Sequence, residues 1–214
     1  MNKEKIIEKA KSLVRGLLSK EGSGHGYDHV QRVLYNAERI LQTEEADPFV
    51  VRLAAILHDV DDYKLFPDHQ NDENAWAFLK EAGVDEETAE KVIACIDTVS
   101  FKGKDSVVPQ TMEGKIVQDA DRLDAIGAIG IARAFAYGGS QNRRLYDDTL
   151  LFRKNPSFEE YRSGSPSTIA HFYEKLLLLK DMMNTEKGKE IAEERHAYML
   201  TFLDEFAKET GHGK

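Results

Sequence analysis

With 214 residues, 41% of them hydrophobic, the chain is long enough to bury one generous core or two small ones. Its formal charge of −9 excludes broad, charge-driven binding to nucleic acid or an anionic membrane, yet leaves room for a phosphate ligand in one locally cationic cleft. No apolar run approaches the ~20 residues needed to span a bilayer, M-N-K-E-K-I-I-E-K-A lacks a signal-peptide core, and the single Cys95 excludes an internal disulfide, so a reducing, cytoplasmic setting is expected.

Helical periodicity runs through nearly the whole chain. Residues 3–20 predict an amphipathic helix, closed by the flexible E-G-S-G-H-G. From Tyr27 to about Leu41, the residues Val30, Val33, Leu34, Ala37, Ile40 and Leu41 form one stripe on a 3.6-residue repeat. Pro48 suits the first turn of a helix whose apolar run L-A-A-I-L ends at His58–Asp59. Residues 70–82 predict another helix, stopped by Gly83. Asp85 opens the next, which carries Val92, Ile93 and Ile96 to about Val99. Residues 100–110 read as a loop, and 114–136 as one long helix rich in Ala and Ile. The least regular stretch is 138–167, and a connection of that length is usually a lid or a mobile segment. Two helices, about 168–184 and 187–209, finish the chain, the first capped by Ser167 or Thr168. With no convincing strand pair and no internal repeat, the expectation is an all-α single domain over 1–214, the C-terminal helices packing on the rest.

An imidazole and a carboxylate side by side at the end of a buried run are costly unless something offsets their desolvation. A divalent metal does so by making both groups ligands. Two other segments look built to meet His58 and Asp59: H-G-Y-D-H-V, whose His29 lies at the edge of its stripe, and Q-D-A-D-R-L-D-A. Taken singly each has a bland explanation, since a lone histidine at a helix edge is more often structural and His-Asp occurs by chance. The conjunction carries the weight. Imidazole nitrogen and carboxylate oxygen suit Mn, Fe, Co, Ni or Zn, with Mg also accommodated. Four protein ligands leave room for water, which such an ion acidifies into a nucleophile. Periodicity alone favours Asp124 as the downstream carboxylate, nearest the middle of the face formed by Ile116, Ala120, Leu123, Gly127 and Ile131, with Asp121 at its border.

The set His29, His58–Asp59 and Asp121 resembles the His…His-Asp…Asp signature of the HD-domain metal-dependent phosphohydrolases. The segments G-H-G-Y-D-H-V-Q-R-V, L-H-D-V-D-D-Y-K, S-F-K-G, I-V-Q-D-A-D-R-L-D-A-I-G-A-I-G-I-A-R-A-F and F-Y-E-K-L-L-L-L-K-D-M-M-N-T-E-K-G-K are similar to the bacterial YpgQ-like branch over nearly the whole chain. The resemblance implies an HD domain with one divalent ion between its helices, Mn favoured, on His29, His58, Asp59 and Asp121. The last follows the family's A-D-x-L pattern, against the periodicity, and leaves Asp124 as a supporting carboxylate on the substrate side or the alternative ligand. It also implies hydrolysis of nucleotides, with (deoxy)nucleoside triphosphates split to a monophosphate and pyrophosphate. The position four after the histidine, commonly Glu or His in related enzymes, is Asp62, expected to move a proton.

Candidates to meet phosphate charge are Lys64, Lys102, Arg122, Arg143 and Arg144, with Arg122 foremost because its neighbour would lie at the metal. His25 and His69 are weaker candidates for ligands of a second ion. The chain departs from guanosine-tetraphosphate hydrolases, which place Glu-Asp after the His-Asp pair, and lacks the extra histidine pairs of di-iron oxygenase relatives. The expected partner is a small nucleotide rather than a nucleic-acid polymer or a membrane. A 5′-nucleotidase and a nucleotide-binding regulator without turnover are the competing readings. Base and sugar specificity are left open, as is oligomeric state, a homodimer included.

Overall fold

Lys3–Leu18 forms helix α1 because Ile6, Ile7, Ala10, Val14 and Leu18 fall on one face, and that face is the buried one. The structure is a computed structural model that describes residues 2–18, 26–61, 73–101, 106–147, 153 and 164–211. Among these residues every regular element is helical, as the periodicity requires. None of the described helices is long and apolar enough to cross a membrane. The chain divides into two units, the described residues of Met1–Phe101 with Ser106–Asp121, and those of Arg122–Lys214.

The first unit is organised on α3 (Pro48–Leu57). Asp47 accepts from Phe49 N at 2.8 Å, Pro48 occupies the first turn, and every residue from Phe49 to Leu57 except Arg52 is buried. Helices α1, α2 (Tyr27–Leu41) and α5 (Glu86–Ile96) pack around it. Leu53, Ile56 and Leu57 have no exposed surface, and each such side chain stabilises by about 1.5–3 kcal/mol. Arg52, the polar exception, donates Nε to Glu38 Oε1 of α2 at 2.6 Å. Helix α4 (Glu73–Glu81) packs on α5 and ends at Gly83, whose φ of +72° lets the chain reverse. Asp85 then caps α5 through Thr88 N at 3.0 Å.

Helix α6 (Met112–Asp124) is tied to this unit by side chains reaching backbone. Gln118, fully buried, donates to Thr98 O at 2.6 Å and Val107 O at 2.8 Å. Asp47 N donates to Glu113 Oε1 at 2.9 Å.

The second unit comprises α7 (Gly127–Ser140), α8 (Thr168–Glu174), a 3-10 helix (Leu176–Met182) and α9 (Glu186–Glu209), and its three α-helices share an aromatic centre. Phe135 lies 6.1 Å from Phe172 and 5.9 Å from Phe202, centroid to centroid, and Phe202 lies 5.9 Å from Phe206.

Two expected helices prove to be broken. The 114–136 run is two helices, because Gly127 adopts φ +74° after an extended Ile126. Arg195 of α9 supports the break: its stem lies against Gly127 and its guanidinium donates to Leu123 O. The 168–184 run changes winding at Lys175. Three residues per turn align Leu176 with Leu179, and both are buried. The expected loop 100–110 is non-helical wherever it is described. Of the irregular stretch 138–167, helix α7 takes the start and 148–152 and 154–163 lie outside the described residues.

Candidate metal centre

His29 is the third residue of α2, beyond Gly26, whose extended backbone precedes the helix. It is fully buried. Asn36, seven residues on and therefore on nearly the same face, donates Nδ2 to Ala120 O at 3.1 Å with both partners buried. That bond fixes α2 against α6 one residue before Asp121. Sequence reasoning missed this amide; its seven-residue spacing from His29 is the signal that could have found it.

His58 caps the C-terminus of α3, and Asp59 follows it in the turn. His58 Nδ1 lies 3.0 Å from Ala55 O. A carbonyl only accepts, so Nδ1 carries the proton and Nε2 presents its lone pair. The two Nε2 atoms of His29 and His58 are 3.2 Å apart. Asp59 offers one oxygen to each ring, at 3.4 Å from His29 Nε2 and 3.4 Å from His58 Nε2. Asp121 Oδ1 stands 3.4 Å from His29 Nε2 and 3.8 Å from His58 Nε2. One ligand atom from each of His29, His58 and Asp121 lies within 4.8 Å of the others.

These residues fit a divalent ion. With bonds of about 2.1 Å, two ligands at right angles on one cation stand about 3.0 Å apart, close to the spacings here. Two carboxylates and an imidazole lone pair facing one another repel unless a cation lies among them. The cradle is also asymmetric. The side chains of His29, His58 and Asp59 are 1%, 2% and 10% exposed, whereas Asp121 is 27% exposed, so the set opens to solvent on the Asp121 side.

The carboxylate grouped with the imidazoles among the described residues is therefore Asp121. Asp124, which periodicity favoured, is buried and ion-paired with Arg133 Nη1 at 2.7 Å. Arg122 is also buried and donates Nη1 to Met182 O. Arg143 lies over the Tyr137 ring at 5.6 Å, and Arg144 pairs with Asp147 at 3.0 Å. Asp62, Lys64, Lys102, His25 and His69 lie outside the described residues.

Comparison with known proteins agrees with this geometry. A family model described as the HD domain matches residues 26–126. Over 213 residues the chain is 43% identical to the uncharacterized protein YpgQ of Bacillus subtilis, across 98% of this chain and 96% of that one. The chain belongs to the HD domain family. It shares the YpgQ-like branch, and this membership makes it a metal-dependent phosphohydrolase. Solved structures of relatives match nearly the whole of this HD-family chain. A Lactobacillus plantarum protein superposes with a TM-score of 0.87 at 37% identity, covering 99% of both chains. B. subtilis YpgQ in complex with ADP gives 0.79 at 38% identity, covering 98% of this chain and 97% of that one. An HD-superfamily hydrolase from Bacillus thuringiensis gives 0.76 at 39%, covering 98% and 99%.

Proposed function

We propose that this HD-family hydrolase cleaves (deoxy)nucleoside triphosphates to a monophosphate and pyrophosphate. One divalent ion, manganese favoured, would be held by His29, His58, Asp59 and Asp121. The observation that carries the reading is the facing quartet, buried on three members and open at the fourth. The relative YpgQ crystallised with ADP supports a nucleotide as the ligand. When bound, the ion supplies a Lewis acid that polarises a phosphoryl oxygen and acidifies water.

The chain's own groups do the rest. His29 and His58 seal the rear of the site from bulk water, and the Ala55 carbonyl holds His58 in the tautomer that faces the cleft. Asp62 takes the proton of the attacking water as its oxygen bonds to phosphorus. The bond between the α- and β-phosphates breaks, and pyrophosphate leaves with its electron pair. Lys64, Lys102, Arg143 and Arg144 are assigned to phosphate charge. Arg122 and Asp124, already engaged with Met182 O and Arg133, are assigned to holding the end of α6.

The test is product analysis by 31P NMR over a panel of nucleotides with Mn, Co, Mg and Zn. Equimolar monophosphate and pyrophosphate from a triphosphate is the expected result. Orthophosphate released from a monophosphate identifies a 5′-nucleotidase instead. Metal-dependent nucleotide binding without product identifies a regulator.

A further inference from the structure

Immediately after the two adjacent metal-centre residues, the turn is fastened to the next described helix, α4. Asp61 Oδ1 accepts from Asn74 N at 3.0 Å and Asp61 Oδ2 from Ala75 N at 3.0 Å. Asn74 answers by donating Nδ2 to Val60 O at 2.9 Å. Both acceptor oxygens of one carboxylate are thus spent on the first-turn amides of α4, where the helix dipole favours negative charge. The side chain at the head of α4 in turn holds the backbone of the turn. We propose that Asp61 and Asn74 form a clasp that positions His58 and Asp59 for their metal, Asp61 acting as a positioning residue and not as a ligand or a base.

The physical case rests on where the ligands sit. His58 and Asp59 follow the last residue of α3 and occupy the turn 58–61, which the bond from Val60 N to Leu57 O at 3.1 Å joins to the helix end. A metal site works only if its side chains are held within about 0.5 Å of the productive geometry. On the α3 side, the Ala55 carbonyl orients one ring. On the far side of the turn, the three-bond clasp supplies the anchor. Helix α4 is itself seated on α5, and α5 on α3, so the clasp ties the turn to the same core that carries α3. Asp61 lies three positions past His58, and its partners are backbone amides, which explains why it differs in task from its neighbour Asp62.

This inference rests on the metal reading above, so its test reads metal affinity separately from turnover. Titration calorimetry with MnCl2 alone is run on the full chain and its variants. Asp61→Ala is expected to weaken Mn2+ by about tenfold to a hundredfold, the loss typical when a group supporting a ligand is removed. Asp61→Asn keeps one acceptor and is expected between the two. Asn74→Ala removes the bond to Val60 O, shifts affinity in the same direction, and serves if Asp61→Ala does not fold. Asp85→Ala removes an equivalent cap from α5, through Thr88 N, without touching the turn. It is expected to lower Tm by as much as Asp61→Ala while leaving the Mn2+ Kd at the wild-type value. Wild-type Mn2+ affinity in Asp61→Ala overturns the clasp. So does an Asn variant as weak as the Ala variant, which assigns the loss to charge, or equal weakening by Asp85→Ala. A wild-type chain that binds no divalent ion overturns the metal reading itself, a distinct outcome.

Discussion

The Ala55 carbonyl and the His58 Nδ1 proton together decide which nitrogen of that ring is free to meet a cation. His58→Ala is therefore expected to strip the purified protein of its metal, measured by elemental analysis, and to abolish turnover with it. Asp62→Asn is expected to retain the metal and lower kcat by about 10²–10⁴; equal turnover in that variant removes Asp62 from the mechanism. The lone cysteine is expected to be silent. Burial pushes the Cys95 thiol up to about 12, against a smaller opposing contribution from its hydrogen bond with Thr111. At pH 8 the folded protein should resist Ellman's reagent and the unfolded chain should titrate one thiol; rapid labelling of the native state would contradict the burial. His58 and Asp59 were legible in the sequence as a polar pair ending a buried run, whereas Asp121 was reached through the family's A-D-x-L pattern, against the periodicity. Asp61 was not, because its partners are the Asn74 and Ala75 amides. Backbone atoms leave no mark in a sequence.

At the scale of elements, hydrophobic period located nearly every described helix, since a buried face must repeat at 3.6 residues whatever it packs against. It failed where the period continues through a break. Ile116, Ala120, Leu123, Gly127 and Ile131 stay in phase across 114–136, yet the chain turns at Ile126–Gly127. The available signal was Gly127 and Gly130, close together in the Ala- and Ile-rich middle of the run. Gly127 has φ +74°, and a Cβ there would meet the Arg195 stem at 3.0 Å. Gly127→Ala should thus destabilise by about 1–2 kcal/mol for the backbone alone, more if Arg195 cannot yield. Gly16 provides the contrast: it lies inside α1 with no positive φ, and an alanine methyl there would meet nothing within 4 Å. Gly16→Ala should stabilise by about 0.5–1 kcal/mol. Urea unfolding of the two variants checks both signs, and a shared sign would refute the assignment of strain to Gly127.

For the molecule as a whole, the depressed carboxylates set the response to acid. Glu174 is fully buried in α8 and takes Arg153 N at 2.9 Å, Arg153 Nε at 3.0 Å, Arg153 Nη2 at 3.0 Å and Ser165 Oγ at 2.6 Å. Burial raises its pKa, but the bonds from Arg153 and then Ser165 outweigh that, so the carboxyl lies below its ordinary 4.5. Asp28 is likewise lowered from 3.8, chiefly by its hydrogen bond from Arg32. For such groups the unfolded chain binds protons first as pH falls, so their stabilisation is complete above the unfolded pKa and is lost as pH drops through the folded one. With chelator present, so that metal loss adds nothing, Tm should stay level from pH 8 to about 5 and fall below about 4.5. Glu174→Gln puts an amide where Arg153 and Ser165 need acceptors, and should cost about 2–3 kcal/mol at pH 7. Because the variant has already lost the proton-linked part, its Tm should decline less steeply between about pH 4.5 and 3 than that of the wild type. A parallel acid limb would mean that Glu174 contributes nothing to the titration and that the loss arises from carboxylates elsewhere.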